Sequence, residues 1–373
     1  MQLTINRNEL LKALKLVGKA IPTRSALPVL RTFNLTAQSG MLRLAATDLE
    51  KYIRQTVSAD VSEIGSLCIG LPFAEFIQQT IGDVVTMRTD RNSLVVKCER
   101  NQARFPIIDA AEFPAWPEQF TPLCRINAGV VNQVARRVIY ATASDQTRPI
   151  LTGVHVQQRE KRLRMAAADG FRLATASVVI SNDAEFEATI PASSAIMLSA
   201  FQSDDVVFST PITSITETMQ ILFSNDSLEV LSQLIMGKFP DVDQVIPTTY
   251  DTQGRVKREE LLHAARLMRV FAREARNALK LDVGPEQFVV ASETSESGDS
   301  RSVVDAEVTG KPVQLAVNVD FVVDALAALD AEFALLQFIS GAHPLVVRPD
   351  SDEDCVAVMM PMNLQENGNA PAR

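Results

Sequence analysis

The chain has 373 residues, 46% of them hydrophobic, which is enough apolar material for two or three domains with substantial cores. Its 36 Lys and Arg against 45 Asp and Glu leave a net charge of −9, which argues against nonspecific coating of nucleic acid unless the positive charge is gathered on one face. No run reaches the ~18 apolar residues of a membrane helix, and the N-terminal "MQLTINRNEL" lacks a basic-then-apolar signal pattern, so a cytoplasmic protein with no membrane partner is expected.

In chain order, "NELLKALKLVGKA" (8–20) reads as an amphipathic helix, with Leu10, Leu14 and Val17 on one face and Lys12, Lys15 and Lys19 on the other. "MLRLAATDLEKYIRQTV" from Met41 reads as two alternating strands around an acidic turn at Asp48. "LPFAEFIQQTIGD" follows as a second helix, and "RFPIIDAAEFPAW" closes the unit. The same order then recurs. "AGVVNQVARRVIYATA" (128–143) carries Arg136 and Arg137. "RLRMAAADGFRLATASV" turns at Asp169, and "IPASSAIMLSAFQSD" and "QLIMGKFPDVDQVIP" follow. A third, weaker round runs through "KREELLHAARLMRVFAREAR" (257–276), "EQFVVASETSESGDSRSVVDAEV" with a turn near Glu293, "AVNVDFVVDALAALD" and "VAVMMPMNL". The chain therefore reads as three copies of a unit of about 120 residues, too long for a solenoid repeat. Units of this kind can pair edge strands head to tail and close a ring, which hides sheet edges.

Catalytic signatures are missing. Cys68, Cys98, Cys124 and Cys355 are far apart, and His155, His263 and His343 form no H-E-x-x-H. Neither phosphate-cradling glycine motif occurs. No catalytic residue, metal or cofactor is expected, and the chain does not read as an enzyme. An enzyme on a three-domain α/β scaffold would need a polar cluster that no motif supplies. A ring-forming scaffold that never meets DNA is the other rival.

Positive charge concentrates on the leading helices: Lys12, Lys15 and Lys19, then Arg136 and Arg137, then Arg266, Arg269, Arg273 and Arg276. On one helix this is an ordinary solvated face. At matching places in a closed repeat, such faces would line one surface suited to phosphate, holding a duplex by charge rather than by reading bases. At the C-terminal end, Cys355–Met360 reads as a strand stopped by Pro361. Its methionines suit either core filling or an adaptable surface for several peptides.

The stretches "SALPVLRTFNL", "AATDLE", "AAADGFRLA", "GKFPDVDQVIP" and "VAVMMPMNL", in this order across residues 1–364, resemble the bacterial β sliding clamps, the processivity subunits of DNA polymerase III. The resemblance implies an α+β fold of three "DNA clamp" domains at 1–120, 121–248 and 249–364, with 365–373 as a polar, disordered tail. Each domain would have two outer antiparallel sheets and two inner helices. It further implies a head-to-tail homodimeric ring that encircles duplex DNA without sequence specificity. Such a ring tethers the replicative DNA polymerase, the clamp loader and repair proteins through short apolar peptide motifs.

Carried over by motif, the partner-peptide cleft lies between the middle and third repeats. Its residues are Leu151, Ala168, Gly170, Phe171, Arg172, Leu173, Pro240, Val245, Val358, Met360, Pro361, Met362, Asn363 and Leu364. Arg24 and Arg148 join the helix cations as implied DNA contacts, and Phe105, Val270 and Phe271 are the implied dimer interface.

The chain also departs from the pattern. Asn363 stands where an arginine is usual, and Phe171 where a histidine or tyrosine is usual. Pro149–Ile150 replaces an aromatic pair. The second helices carry acids instead of Lys or Arg, among them Glu75, Asp83, Asp204, Asp205, Asp320, Asp324 and Asp330. These departures fit an accessory ring-forming scaffold with altered partner preference or weak DNA binding as the alternative.

Overall fold

The computed structural model describes residues 1–202, 204–212, 220–273, 276–294, 298–351 and 354–362. The tail 365–373 lies outside the described residues. The chain packs into two compact units, one of Met1–Gly129 with Met197–Leu234, the other of Val130–Ile196 with the chain from Ile235 onward.

The described strands pair antiparallel. In the first unit they form a thirteen-stranded sheet that begins Phe120–Asn127, Asp205–Pro211, Gln220–Ser224, Leu228–Gln233, Lys51–Ser58, Met41–Thr47. It continues through Thr32–Gln38 and Gly65–Gly70 to Asn101–Ile108, which pairs with Gly65–Gly70 at one end and Ser93–Cys98 along the rest. In the second unit a nine-stranded sheet runs from Phe186–Pro191 through Gly153–Arg159, Arg162–Ala168, Arg172–Val179, Cys355–Met359, Leu345–Pro349, Phe333–Phe338 and Thr252–Lys257 to Ala306–Gly310. A four-stranded sheet of Gly298–Val304, Gln287–Thr294, Ala278–Gly284 and Val313–Asn318 completes it.

Six helices are described: α1 (Arg7–Val17), α2 (Pro72–Gln79), α3 (Ala128–Arg136), α4 (Ala192–Ala195), α5 (Arg258–Ala272) and α6 (Val319–Ala328). Each leading helix starts where a strand ends, at Asn6, Asn127 or Lys257. The Asn6 side chain accepts from the N–H groups of Asn8 and Glu9, and Asn127 accepts from Gly129, which satisfies donors the first helical turn leaves open. The first residue of each leading helix donates its N–H to a carbonyl just past the second helix of the same repeat: Arg7 to Asp83, Ala128 to Asp204, Arg258 to Glu332. The same backbone bond thus recurs at three matching places along the chain. The α1 face of Leu10, Ala13, Leu14 and Val17 is buried, as is the α5 face of Leu261, Leu262, Ala265, Met268 and Ala272. Their apolar periodicity explains why these segments are helical and which side packs on the sheets.

The helices are shorter than the sequence pattern predicts. The 128–143 segment leaves α geometry after Arg136 and resumes only as a short turn at Ile139–Ala141. The middle repeat's second helix is a single turn followed by a tighter one at Ile196–Ala200, where Ser193 and Ser194 favour local alternatives to a long helix. α5 stops at Ala272, so Arg276, with φ 55°, sits beyond the helix and does not extend the arginine stripe. In the third repeat Glu293 pairs with Asp299 and Thr294 with Gly298, so the ladder of this hairpin ends one residue past Glu293.

Both well-matched hairpins turn the same way. The Asp48 carboxylate accepts from the N–H groups of Glu50 (3.1 Å) and Lys51 (2.7 Å); Asp169 accepts from Phe171 (2.8 Å) and Arg172 (2.9 Å). The residue after each aspartate has a positive φ, 77° at Leu49 and 93° at Gly170, so glycine relieves in the second turn a strain the first retains.

Candidate functional site

The cleft is built in the second unit on one face of the nine-stranded sheet. Ala168 pairs with Leu173, and Leu173 with Val358, so these three side chains project together as a floor. A wall is added by the non-strand segment Phe239–Val245, and a rim by the Asp169 turn. The cleft encloses about 290 Å³. It is lined by Arg148, Leu151, Ala168, Gly170, Phe171, Arg172, Leu173, Pro240, Asp241, Val242, Val245, Val358 and Met360. That is the lower end of the ~300–1,000 Å³ typical of ligand pockets, room for one or two apolar side chains. Beneath it, Val346, Val356 and Phe239 form a buried core with Leu151, Leu173, Val242 and Val358.

Strand alternation separates the methionines. Val358 and Met360 belong to the cleft, whereas Met359 is buried on the opposite face. Met360 is 43% exposed, and its N–H donates to the Phe171 carbonyl, continuing the ladder past the strand end. Phe171 is 68% exposed, an aromatic ring left at the rim with its face available. Arg172 is held on several sides: its guanidinium donates to Asp169 (2.9 Å) and to Asp324 of α6 (2.7 Å), and it lies 4.5 Å from the Phe321 ring. It is thus a rigid polar edge rather than a mobile cation.

Met362 lines a groove on the four-stranded sheet with Lys280, Arg301 and Ala316, its N–H donating to the Ala316 carbonyl, and Pro361 stands between it and Met360 of the cleft. The chain diverges after Met360 because Pro361 cannot continue the ladder. Asn363 and Leu364 lie outside the described residues. In turn, the sequence reading did not place Asp241 and Val242 in the cleft, although both belong to the "FPDV" wall, and Asp241 caps the short Val242–Val245 turn by accepting from the Asp243 N–H. Arg148, read as a DNA contact, stands at the cleft, its guanidinium next to Gly170.

Comparison with known proteins decides the family. The DNA polymerase III beta subunit models match in order along the chain: the N-terminal domain at 1–117, the central domain at 125–241 and the C-terminal domain at 243–363. The chain belongs to the DNA polymerase III beta subunit family. The beta sliding clamp of Synechococcus elongatus is 28% identical, spanning 98% of this chain and 100% of that protein. That of Streptococcus pneumoniae is 25% identical over 96% and 98%. In structure, the beta subunit from Streptococcus pyogenes superposes with a TM-score of 0.88 at 20% identity, covering 97% of this chain and 100% of that one. The Bacillus subtilis sliding clamp gives 0.88 at 23%, covering 97% and 99%. The function is that of a DNA sliding clamp, a processivity factor for the polymerase in DNA replication, and it is not enzymatic.

For a sliding clamp, the placement of charge matters next. Lys12 and Lys15 on α1, Lys19 just beyond it, and Arg24 are exposed, as are Arg136, Arg266, Arg269, Arg273 and Arg276. Arg137 is the exception. It is 7% exposed, because α3 ends at Arg136 and the next residue turns into the core, so it presents no charge at the surface. The acidic second helix of the third repeat is partly neutralised: Asp320 pairs with Arg269 (2.6 Å) and Asp324 with Arg172 (2.7 Å), and Asp330, two residues past the helix, pairs with Arg136 (3.7 Å). Asp83 and Asp205 are not helical: one follows α2 and the other opens a strand.

The interface candidates also differ from one another. Phe105 is half-buried, packed edge-on against Phe73 and Phe76 at 5.9 and 5.7 Å. Val270 is 69% exposed on α5, beside the half-buried Phe271. Among the described residues no three His, Cys, Asp or Glu side chains are grouped to hold a metal, and no helix is long and apolar enough to cross a membrane.

Proposed function

We propose that the cleft on the nine-stranded sheet is where this clamp holds its protein partners, through short peptide segments that insert adjacent apolar side chains between the Leu173–Val358 floor and the Pro240–Val245 wall. The observation that carries this reading is the apolar lining itself, open to solvent and flanked by Arg148 and Arg172. The replicative polymerase, the clamp loader and repair proteins are the intended partners. The exposed cations on α1 and α5, with Arg24, are assigned to duplex phosphate. Because Arg136 and Arg269 face aspartates, most of that attraction rests on Lys12, Lys15, Lys19, Arg266 and Arg273.

We assign three repeats with boundaries near residues 120 and 248, closed as a head-to-tail homodimer in the cytoplasm. Within the chain, the second strand of a hairpin twice pairs with the last strand of the next repeat: Lys51–Ser58 with Leu228–Gln233, and Arg172–Val179 with Cys355–Met359. The third repeat's equivalent, Gly298–Val304, is a sheet edge. By the same rule it would receive Asn101–Ile108 of a second copy, with Phe105, Val270 and Phe271 flanking the seam. Retention on circular DNA tests this: the protein should stay on a closed circle and leave once the circle is cut. Equal retention on both forms would mean surface binding without encirclement.

A further inference from the structure

The cleft wall is not part of the sheet that forms the floor, so something must fix its distance from that floor. Two contacts do so from the same sheet face. Arg164 donates through Nη1 to Asp243 Oδ2 (2.8 Å) and through Nη2 to the other carboxylate oxygen, a two-pronged pair. His155 lies flat against the Phe239 ring, with centroids 4.7 Å apart and planes inclined by 7°. His155 pairs with Ala166 and Arg164 with Gln157 on adjoining strands, so both side chains rise on the face that carries Ala168 and Leu173. Phe239 and Asp243 bracket Pro240, Asp241 and Val242, three of the four wall residues in the cleft; the fourth, Val245, follows Asp243 by two residues. Neither His155 nor Arg164 lines the cleft itself.

We infer that Arg164 and His155 are positioning residues for partner binding, pinning the wall on either side of Pro240–Val242 so that the cleft is preformed at a width suited to an apolar side chain. This rests on the peptide-cleft reading above. A preformed cleft spares a ligand the cost of ordering the wall, so loosening a pin weakens binding without removing any contact to the ligand.

The test titrates a fluorescein-labelled pentapeptide ending in Leu-Phe against the full chain by fluorescence anisotropy. Arg164→Ala and Asp243→Ala should each weaken binding about threefold to fivefold, the scale of one partly exposed ion pair. The double variant should be no weaker than either single, and Arg164→Lys should fall between wild type and Arg164→Ala. As control, Arg162→Ala removes another arginine of the same strand, paired with Asp354 at 2.7 Å, and should bind as wild type. Wild-type affinity in the Arg164 and Asp243 variants, additive losses in the double variant, or an equal loss in Arg162→Ala would overturn the inference. A wild-type chain that ignores the peptide would instead sink the cleft reading beneath it.

Discussion

At the junction of the first and middle repeats, Gln233 donates its N–H to the Glu50 carbonyl and Leu231 faces Tyr52; at the junction of the middle and third, Met360 donates to Phe171 and Val358 faces Leu173. The backbone pattern is the same, down to the aspartate turns and their ion pairs, Lys51–Asp48 and Arg172–Asp169. The side chains differ. Where the register of the second junction has Leu173, Thr175 and Val356, the first has Tyr52, Arg54 and Glu229, and aligning the Phe113–Pro114 and Phe239–Pro240 steps sets Trp116 at the place of Val242. Tyr52 and Trp116 meet edge to face at 5.8 Å, the Arg54 guanidinium lies 4.2 Å from the Trp116 ring, and Arg54 is bonded to Glu229. Aromatic and paired charged side chains thus pack together at the first junction, whereas uncharged Leu173 and Val242 line the cleft at the second and Val356 lies in the core beneath it. On the proposed peptide-cleft reading, one module yields a structural seam at one junction and a binding site at the other.

The largest effect should come from removing the plug. Trp116→Val deletes most of an indole and the partner of Arg54, and should cost about 2–4 kcal/mol in urea unfolding. Burial pushes the Tyr52 phenol above its usual pKa, so spectrophotometric titration should show it moving down in this variant. Transplanting the plug, Val242→Trp, should weaken binding of the same labelled pentapeptide at least tenfold, about 1.4 kcal/mol. Unaltered affinity would show that Val242 does not bound the ligand. Met360→Ala should cost about 1 kcal/mol of peptide affinity, while Met362→Ala should leave it unchanged, because Met362 lines the other groove.

The smallest effect is on pH dependence. Burial holds the His155 pKa below its ordinary value; nearby Glu187, 3.6 Å away, opposes this, and Arg164 reinforces it. Thr189 and the Phe239 ring complete its surroundings. The unfolded chain therefore takes up the proton first as pH falls, so stability is full above the ordinary histidine range and declines through it toward the lowered folded value. His155→Phe, which keeps a ring against Phe239, should flatten that decline in thermal melts between pH 7 and pH 5.

Much of this was legible from residue order. Alternation and the aspartate turns mark the hairpins at Asp48 and Asp169, whereas "KFPDVDQVIP" and "VAVMMPMNL" point to the cleft through the family resemblance. Other features depend on three-dimensional facts that spacing does not carry. Arg137 looks like a surface partner of Arg136 until the helix ends between them. Met360 and Met362 share strand parity, yet Pro361 ends the ladder and sends them to different grooves. Arg148 precedes a proline in a loop, and only folding brings it beside Gly170. The acidic helix looked hostile to DNA because its arginine partners come from distant positions.

Isothermal titration of the full chain with the unlabelled pentapeptide tests the contrast between the two junctions most directly. One peptide per chain is the predicted stoichiometry, with an affinity at least tenfold weaker in Val242→Trp. Two per chain, or one bound by Val242→Trp as tightly as by the wild type, would contradict it.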